Sequence, residues 1–421
     1  MLLMTAAVAT FVSIYAVAYF SADRPACRAP ATTRGPDREY FWPLWLFLWG
    51  SLNALFLSAD VFNLYVTLEL LTISAVALVA LEGQPIALSA AMRYLLAAIL
   101  GSIAYLIGIA FLYAAYGTLD IASLGLALAP DSSSAAAVAL ILVGLLVKTA
   151  LFPFHFWLPP AHGNAPAPVS ALLSALVVKA SYYLLLRLWF DVFPAVLSPS
   201  AGQILGILGA TAIVWGSLQA LLARRLKLLV AYSTVAQLGY LFLVFPLTES
   251  GDGGSIAWSG GVLFALSHAC AKAALFLAVG NVLFAAGHDH IAKLNGLGRR
   301  LPVTFMTMGL TSVTLMGLPP SGAFTAKWLL IQAGLQHRNL WLIAVMIGGG
   351  LLAAGYLFRV LECAFRNTEA VIIRPVPRIM DWSALLLALV SLGLGFVAVP
   401  GLQFLQVGAP LAGMVLLEDV P

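Results

Sequence analysis

Residues 145–160 read LLVKTALFPFHFWLPP. Lys148 stands inside an apolar run, Pro153 follows five residues later, and His155, Pro159 and Pro160 come after it. In a helix surrounded by water this is a minor irregularity. In a membrane it carries two separate costs. A charged side chain at mid-membrane costs roughly 2.5–3.5 kcal/mol even on the gentle insertion scale. Pro153 removes a backbone N–H and crowds the carbonyl four residues back. The solvent around this stretch therefore decides what it means.

Composition settles the solvent. Of 421 residues, 62% are hydrophobic and 9% charged, against about 25% charged in a soluble domain. That is too little polar surface to face water, so most of the exterior faces lipid. The apolar runs are continuous and near the ~20 residues a spanning helix needs. A barrel, whose strands alternate polar and apolar positions over about ten residues, is excluded. The expected class is an all-α polytopic membrane protein with about twelve transmembrane helices. They fall near 2–20, 41–57, 61–81, 93–115, 134–160, 169–190, 203–223, 227–247, 257–285, 301–336, 340–362 and 381–400. The first run has no basic segment before it and reads as a retained span, not a cleaved signal. The apolar tail after Pro400 reads as a half-helix or surface segment.

Cys27, Cys270 and Cys363 are far apart and form no CxxC pair, so no iron–sulfur, haem or zinc site is read from them. Cys270 reads as a small packing residue. His155 and His162 have no third metal ligand near them. The net charge of +4 comes from clustered loop arginines and carries no nucleic-acid signature.

Threading twelve spans from an outer N-terminus sorts the basic residues. Fifteen of the 21 Lys and Arg fall on one side, in the loops around Arg24–Arg38, Arg93, Arg224–Lys227, Lys293–Arg300 and Arg359–Arg378. Arg187 and Arg338 fall on the other. Cytoplasmic loops carry such an excess, which predicts both termini outside and residence in the inner (cytoplasmic) membrane.

Four basic residues remain, Lys148, Lys179, Lys272 and Lys327, each inside a different span. Glu69 is the single acid well inside a span. One such group could snorkel to an interface or form a static pair. Five near span centres favour a proton path. A lysine out of water loses part of its preference for the charged form, and a neighbouring carboxylate restores it. Moving or neutralising the partner then loads or unloads a proton. His268 and Lys272 share a helix face in SHACAKAALF, which marks His268 as a relay. Lys179, Tyr183 and Arg187 form a similar stripe, with Tyr183 read as packing, and so do Ser233 and Gln237.

A second break lies in TLMGLPPSGAFTAKWLLI, where Gly317, Pro319, Pro320 and Gly322 precede Lys327. Broken backbone at membrane depth persists only where it is buried in protein or lines a wet cavity. Pro153 is thus expected to open its helix and admit water near Lys148. Two broken helices, each with a lysine beside the break, match the pattern of inverted-repeat transporters.

The segments KTALFPFHFWLPPAHGNAPAPVSALLSALVVKASYYLLLR, LKLLVAYSTVAQLGYLFL, SHACAKAALFLAVGNVLF and GLPPSGAFTAKWLLI occur in this order. Together they resemble the antiporter-like membrane subunits of respiratory complex I (NADH:quinone oxidoreductase), Mrp sodium/proton antiporters and membrane-bound hydrogenases. The likeness runs from about Asn53 to Phe365. It implies two inverted five-helix repeats, each with a broken helix. It implies a coupling pair Glu69–Lys148, a central Lys179, a continuing Lys272 and a terminal Lys327. The half-channels would be about 41–190 and 203–365, followed by a C-terminal helix and tail over 366–421. The family usually has about fourteen helices with its glutamate in the fifth. Here Glu69 lies in the third span, so two N-terminal helices are expected to be absent from this sequence. No long C-terminal lateral helix is expected.

The resulting expectation is a proton-translocating subunit without a redox cofactor of its own, in a complex I-like or Mrp-type assembly. Its partners would be other membrane subunits, lipid and protons, with sodium as a candidate second ion. The alternatives are a subunit of a hydrogenase or inorganic-carbon uptake complex, and a stand-alone solute transporter, for which no ligand cage is visible.

Overall fold

A computed structural model describes residues 1–21, 37–248, 252–367, 373–406 and 409–410. Arg24, Cys27, Arg28, Arg34 and the tail from residue 411 lie outside the described residues. The chain begins with α1 (Leu2–Ser21), α2 (Asp37–Leu57), α3 (Val61–Val79), α4 (Pro85–Tyr116) and the short α5 (Ile121–Ala127). Then come α6 (Ser132–Thr149), a 3-10 turn (Phe154–Trp157), α7 (Leu158–Asn164), α8 (Ala167–Leu172), a π-helical turn (Leu173–Val177) and α9 (Val178–Asp191). The second half holds α10 (Pro199–Leu222), α11 (Leu226–Phe242), α12 (Val244–Leu247), α13 (Asp252–Ala286), α14 (Leu297–Arg300), α15 (Pro302–Met316), α16 (Gly322–Gln336) and α17 (Leu340–Phe365). The last two are α18 (Arg378–Phe396) and α19 (Ala398–Gln406).

Among the described residues, eleven stretches are long and apolar enough to cross a membrane. The α15–α16 pair adds a crossing in two pieces, which accounts for the twelve expected. The chain is an all-helical, multi-pass membrane protein. Local chemistry sets the helix ends. Proline opens α4, α10 and α15, where its missing N–H has no intrahelical partner to lose. Asp60 caps α3 by accepting from Phe62 and Asn63 N–H. Asp120 and Asp131 cap α5 and α6, and the N–H groups of Ser123 and Ser134 hold both carboxyls below the usual carboxylate range.

Two sequence expectations are corrected. The fourth span begins at Pro85, so Arg93 is an exposed residue of α4 and not a loop residue. Lys227 lies in the first turn of α11 and is buried, so it is not a loop charge either.

The inverted repeat is visible in the backbone. Val61 N–H donates to Leu119 O and Ile121 N–H to Ala59 O, forming an isolated bridge between Asp60 and Asp120. Leu226 N–H donates to Asp289 O and Ile291 N–H to Arg224 O, forming a second bridge between Arg225 and His290. The first bridge ties the start of α3 to the turn after α4. The second ties the start of α11 to the turn after α13. Each turn begins with a glycine of positive φ, Gly117 or Gly287. Counting crossings puts these turns on opposite faces, as an inverted pair requires. The face holding Arg224, Lys293, Arg299, Arg300 and Arg374 is called the basic face below.

The breaks correspond as well. Ala150 ends α6 in the left-handed region (φ 57°), and Gly317 ends α15 there (φ 81°). A cis peptide follows each, Phe152–Pro153 and Pro319–Pro320. Helix α6 therefore stops before Pro153, which is exposed, as are Pro319 and Pro320. The helix ends at Thr149, four residues before Pro153, and the backbone turns away at the left-handed Ala150.

Burial separates a core from a lipid-facing shell. Over 18 apolar residues of each, 94% of the residues are buried in the spans 167–191 and 254–286 and 89% in 226–247, against 33% in α17. These three spans form the central column, and α11 runs through it. Closely packed glycines join helices to it and to each other. A Cβ on Gly101 of α4 would lie 2.8 Å from Gly144 O of α6, the close approach that small residues permit in membranes.

Candidate functional site

The Gly101–Gly144 contact draws α6 against α4 and carries Lys148 toward α3. Lys148 Nζ lies 2.8 Å from Glu69 Oε1 and 3.0 Å from Thr72 Oγ1, one turn further along α3. Ser102 of α4 donates a short hydrogen bond to the same Glu69 oxygen. The side chains are 3% and 23% exposed, so the lysine is enclosed while the carboxylate keeps one open side. Trp157 closes the break by donating to Val147 O at 3.0 Å and stacking on Tyr94 at 4.1 Å. Beside Lys148 is a cavity of about 10 Å³ whose walls include Thr72, Tyr94, Val177 and Ser181. That is near the room of one water, between Lys148 and the helix that bears Lys179.

Lys179 is fully buried, and its Nζ donates to Ser174 O at 2.6 Å. The π-helical turn over 173–177 shifts the backbone register and presents this carbonyl. Ser174 Oγ pairs with Thr234 Oγ1 of α11 at 3.0 Å. Thr234 Oγ1 donates to Val230 O (3.0 Å), and Lys272 Nζ donates to the same carbonyl (3.2 Å) and to Ser233 Oγ. One turn on, Gln237 Nε2 donates to Leu315 O at 3.1 Å. Lys327 Nζ donates to Leu315 O and Met316 O, each at 3.2 Å, and stands 4.2 Å from the Tyr240 ring centroid. Polar side chains of α11 thus stand between Lys179, Lys272 and Lys327 in turn.

Among the described residues, Lys148 has the one carboxylate partner in this series; Lys179, Lys272 and Lys327 rest on carbonyls and hydroxyls. The repeat explains the difference. Nine residues past the bridge residue, α3 carries Glu69 and α11 carries Thr234. Fifteen residues before the turn glycine, α4 carries Ser102 and α13 carries Lys272.

His268 shares the face of Lys272 but makes no hydrogen bond to it. Both of its ring nitrogens are unpartnered, and it stacks on Phe264 at 5.7 Å. The stripe Lys179, Tyr183, Arg187 divides: Tyr183 packs edge-on against Phe56, while Arg187 pairs with Asp191 at 3.7 Å and donates to Ser58 O. His162 is fully buried against Phe276 with neither ring nitrogen bonded. No group of three metal-ligating side chains occurs among the described residues.

Sequence reasoning missed Thr72, Ser102, Ser174 and Thr234. Such residues are common in membrane helices, and only the tertiary contact distinguishes them. It also missed the clasp at the basic face. Arg225 Nε lies 3.0 and 3.2 Å from the Asp289 oxygens, Arg225 donates to Gly163 O, and buried Lys227 donates to Ala165 O. The alternation Arg225–Lys227 at a helix start was its one available signal.

The family model for the NADH:quinone oxidoreductase/Mrp antiporter transmembrane region matches residues 58–353. NADH-quinone oxidoreductase subunit N of Desulforudis audaxviator is 35% identical over 376 residues, covering 86% of this chain and 74% of that protein. A Na(+)/H(+) antiporter protein of Alkalihalophilus pseudofirmus is 28% identical over 375 residues, 87% of this chain and 75% of that one. A chain of an archaeal respiratory membrane complex, the membrane-bound sulfane sulfur reductase, superposes with a TM-score of 0.82 at 29% identity. That match covers 95% of this chain and 81% of the other.

Proposed function

The chain belongs to the NADH:quinone oxidoreductase/Mrp antiporter family of membrane proteins, and from that premise we propose that it translocates protons as a non-redox subunit of a larger complex. The observation that carries this reading is the enclosed Glu69–Lys148 pair at the first break. While Glu69 is ionised beside it, Lys148 holds its proton. When a neighbouring event neutralises or withdraws Glu69, the enclosed ammonium loses its counter-charge and the proton is released. The single-water cavity supports transfer toward α9 and Lys179. Lys272 and Lys327, bound only to neutral groups, can each take the proton in turn. The first half-channel then comprises about 41–190 and the second 203–365. Driving energy comes from redox chemistry in a partner or from a counter-moving ion.

Partner subunits are supported by the chain's own surface. Pro153, Leu318, Pro319 and Pro320 are exposed beside non-helical backbone at mid-crossing. Lipid does not satisfy such backbone, so it meets either a partner subunit or a water-filled cavity. The asymmetry of basic loops supports residence in the inner membrane with the N-terminus outside.

The test is proton movement into sealed vesicles bearing the assembled complex. Lys148→Ala should assemble and fail to move protons. Proton movement at the unsubstituted rate would refute the reading.

A further inference from the structure

Helix α15 carries Thr304, Thr307, Thr311 and Thr314 at three- and four-residue spacing, so they line one face, and all four are buried. That face runs along α18. At the basic end Thr304 Oγ1 donates to Asp381 Oδ1 at 2.7 Å. At the inner end Thr314 Oγ1 meets Ser391 Oγ at 3.2 Å. Both helices start at the basic face, and these two contacts have the same register. That register places Ala384 and Ala388, both fully buried, opposite Thr307 and Thr311. Small residues thus face hydroxyls along the whole seam.

Its two ends are not ordinary packing. Asp381 is half-buried and forms no ion pair with any described residue. Asn281 of α13 donates to Asp381 Oδ1 at 3.0 Å, and its own Oδ1 is buried without a partner. A buried amide oxygen left bare beside a carboxylate marks a place for a donor such as water. At the other end Thr314 immediately precedes Leu315 and Met316, whose carbonyls hold Lys327 Nζ. Between the ends, Thr307 and Thr311 spend their protons on α15 carbonyls, Val303 O and Thr307 O. Their oxygens keep lone pairs that can accept from water.

We propose that the α15–α18 seam is a proton access route between the basic face and Lys327, with Asp381, held by Thr304 and Asn281, as its loading group. Asp381 takes a proton from water at the basic face. The proton passes along water ordered by the threonine oxygens and reaches Lys327, which gives it up toward Lys272 or away from the basic face. No bond other than O–H and N–H changes. This inference rests on the proton-translocation reading and assigns that path a second opening, distinct from the Glu69–Lys148 end.

The test compares Asp381→Asn, Asp381→Glu, Thr311→Val and Thr311→Ser in the assembled complex, by proton movement into sealed vesicles per unit of complex. The first and third should slow movement about tenfold or more, as loss of a proton-transfer group does. The conservative Glu and Ser variants should keep at least about half the rate, a rescue that separates proton transfer from packing. Thr311→Val decides the matter if Asp381→Asn fails to assemble. Rates within about twofold of the unsubstituted complex for Asp381→Asn and Thr311→Val, with Glu69→Gln still inactive, would overturn the route and leave the function standing. Activity in Glu69→Gln would instead strike the function itself.

Discussion

Lys327 Nζ donates to Leu315 O at 3.2 Å, and Leu315 occupies in the second repeat the position that Lys148 occupies in the first. Each stands two residues before the left-handed residue of its break, Gly317 or Ala150. The two lysines come from opposite sides of their breaks: Lys148 stands in the last turn of α6 and turns to Glu69 and Thr72 of α3, whereas Lys327 reaches from α16 to the carbonyls that end α15. A cation is favourable there because it meets the negative end of the helix dipole. The second break is thus a lysine seat.

The seat in the second repeat depends on Gly317. Its φ is +81°, and a Cβ there would lie 2.6 Å from Lys327 Cδ. Gly317→Ala should destabilise the protein by about 1–2 kcal/mol from backbone strain alone, with further loss from displacing Lys327. Thermal unfolding of the purified protein in detergent checks the first part, and proton movement the second.

Glu69 and Lys148 are each held by a hydroxyl. Ser102→Ala and Thr72→Val remove one hydrogen bond apiece to a charged group, about 1.5–3 kcal/mol each. Both should assemble and slow proton movement by about tenfold, since 1.4 kcal/mol on a barrier is tenfold in rate. A double variant no slower than either single one would show that the hydroxyls act through one shared step.

Helix spacing delivers Lys148 to Glu69. Gly144→Leu should push α6 from α4, at about 1–3 kcal/mol of overpacking, and remove proton movement even where protein accumulates. Gly50→Ala is the control, since a Cβ there meets nothing within 4 Å. It should be neutral or slightly stabilising in a helix interior.

The Arg225–Asp289 pair is a fastener. Asp289 is 6% exposed, pairs with Arg225 and accepts from Lys227 N–H. Asp289→Asn should lower the unfolding temperature. It should leave proton movement per assembled complex near the unsubstituted value. A selective loss of movement at unchanged stability would place Asp289 in the path.

The sequence makes the membrane class, the twelve crossings and both breaks legible, because long apolar runs and Gly–Pro clusters are local signals. It also shows Glu69 and the four spanning lysines, since intramembrane charge is rare. It does not reveal what each lysine touches. Ser102 and Thr72 look like ordinary hydroxyl residues until helix packing puts them beside Glu69. Lys227 looks like a loop charge because it lies two residues past Arg225, and only the turn into α11 buries it. The left-handed Ala150 has no sequence signature at all. The bridges at Asp60 and Arg225, which reveal the repeat, are backbone contacts between segments more than fifty residues apart and leave no motif.

The central claim is that the Glu69–Lys148 pair, 2.8 Å apart, switches a proton on and off the enclosed lysine. The most direct measurement is proton movement by sealed vesicles carrying the assembled complex with Glu69→Gln, which keeps the shape and removes the charge. The account predicts full assembly with proton movement reduced by at least about a hundredfold, within the range general acid–base groups supply. Movement at the unsubstituted rate in that variant would contradict it.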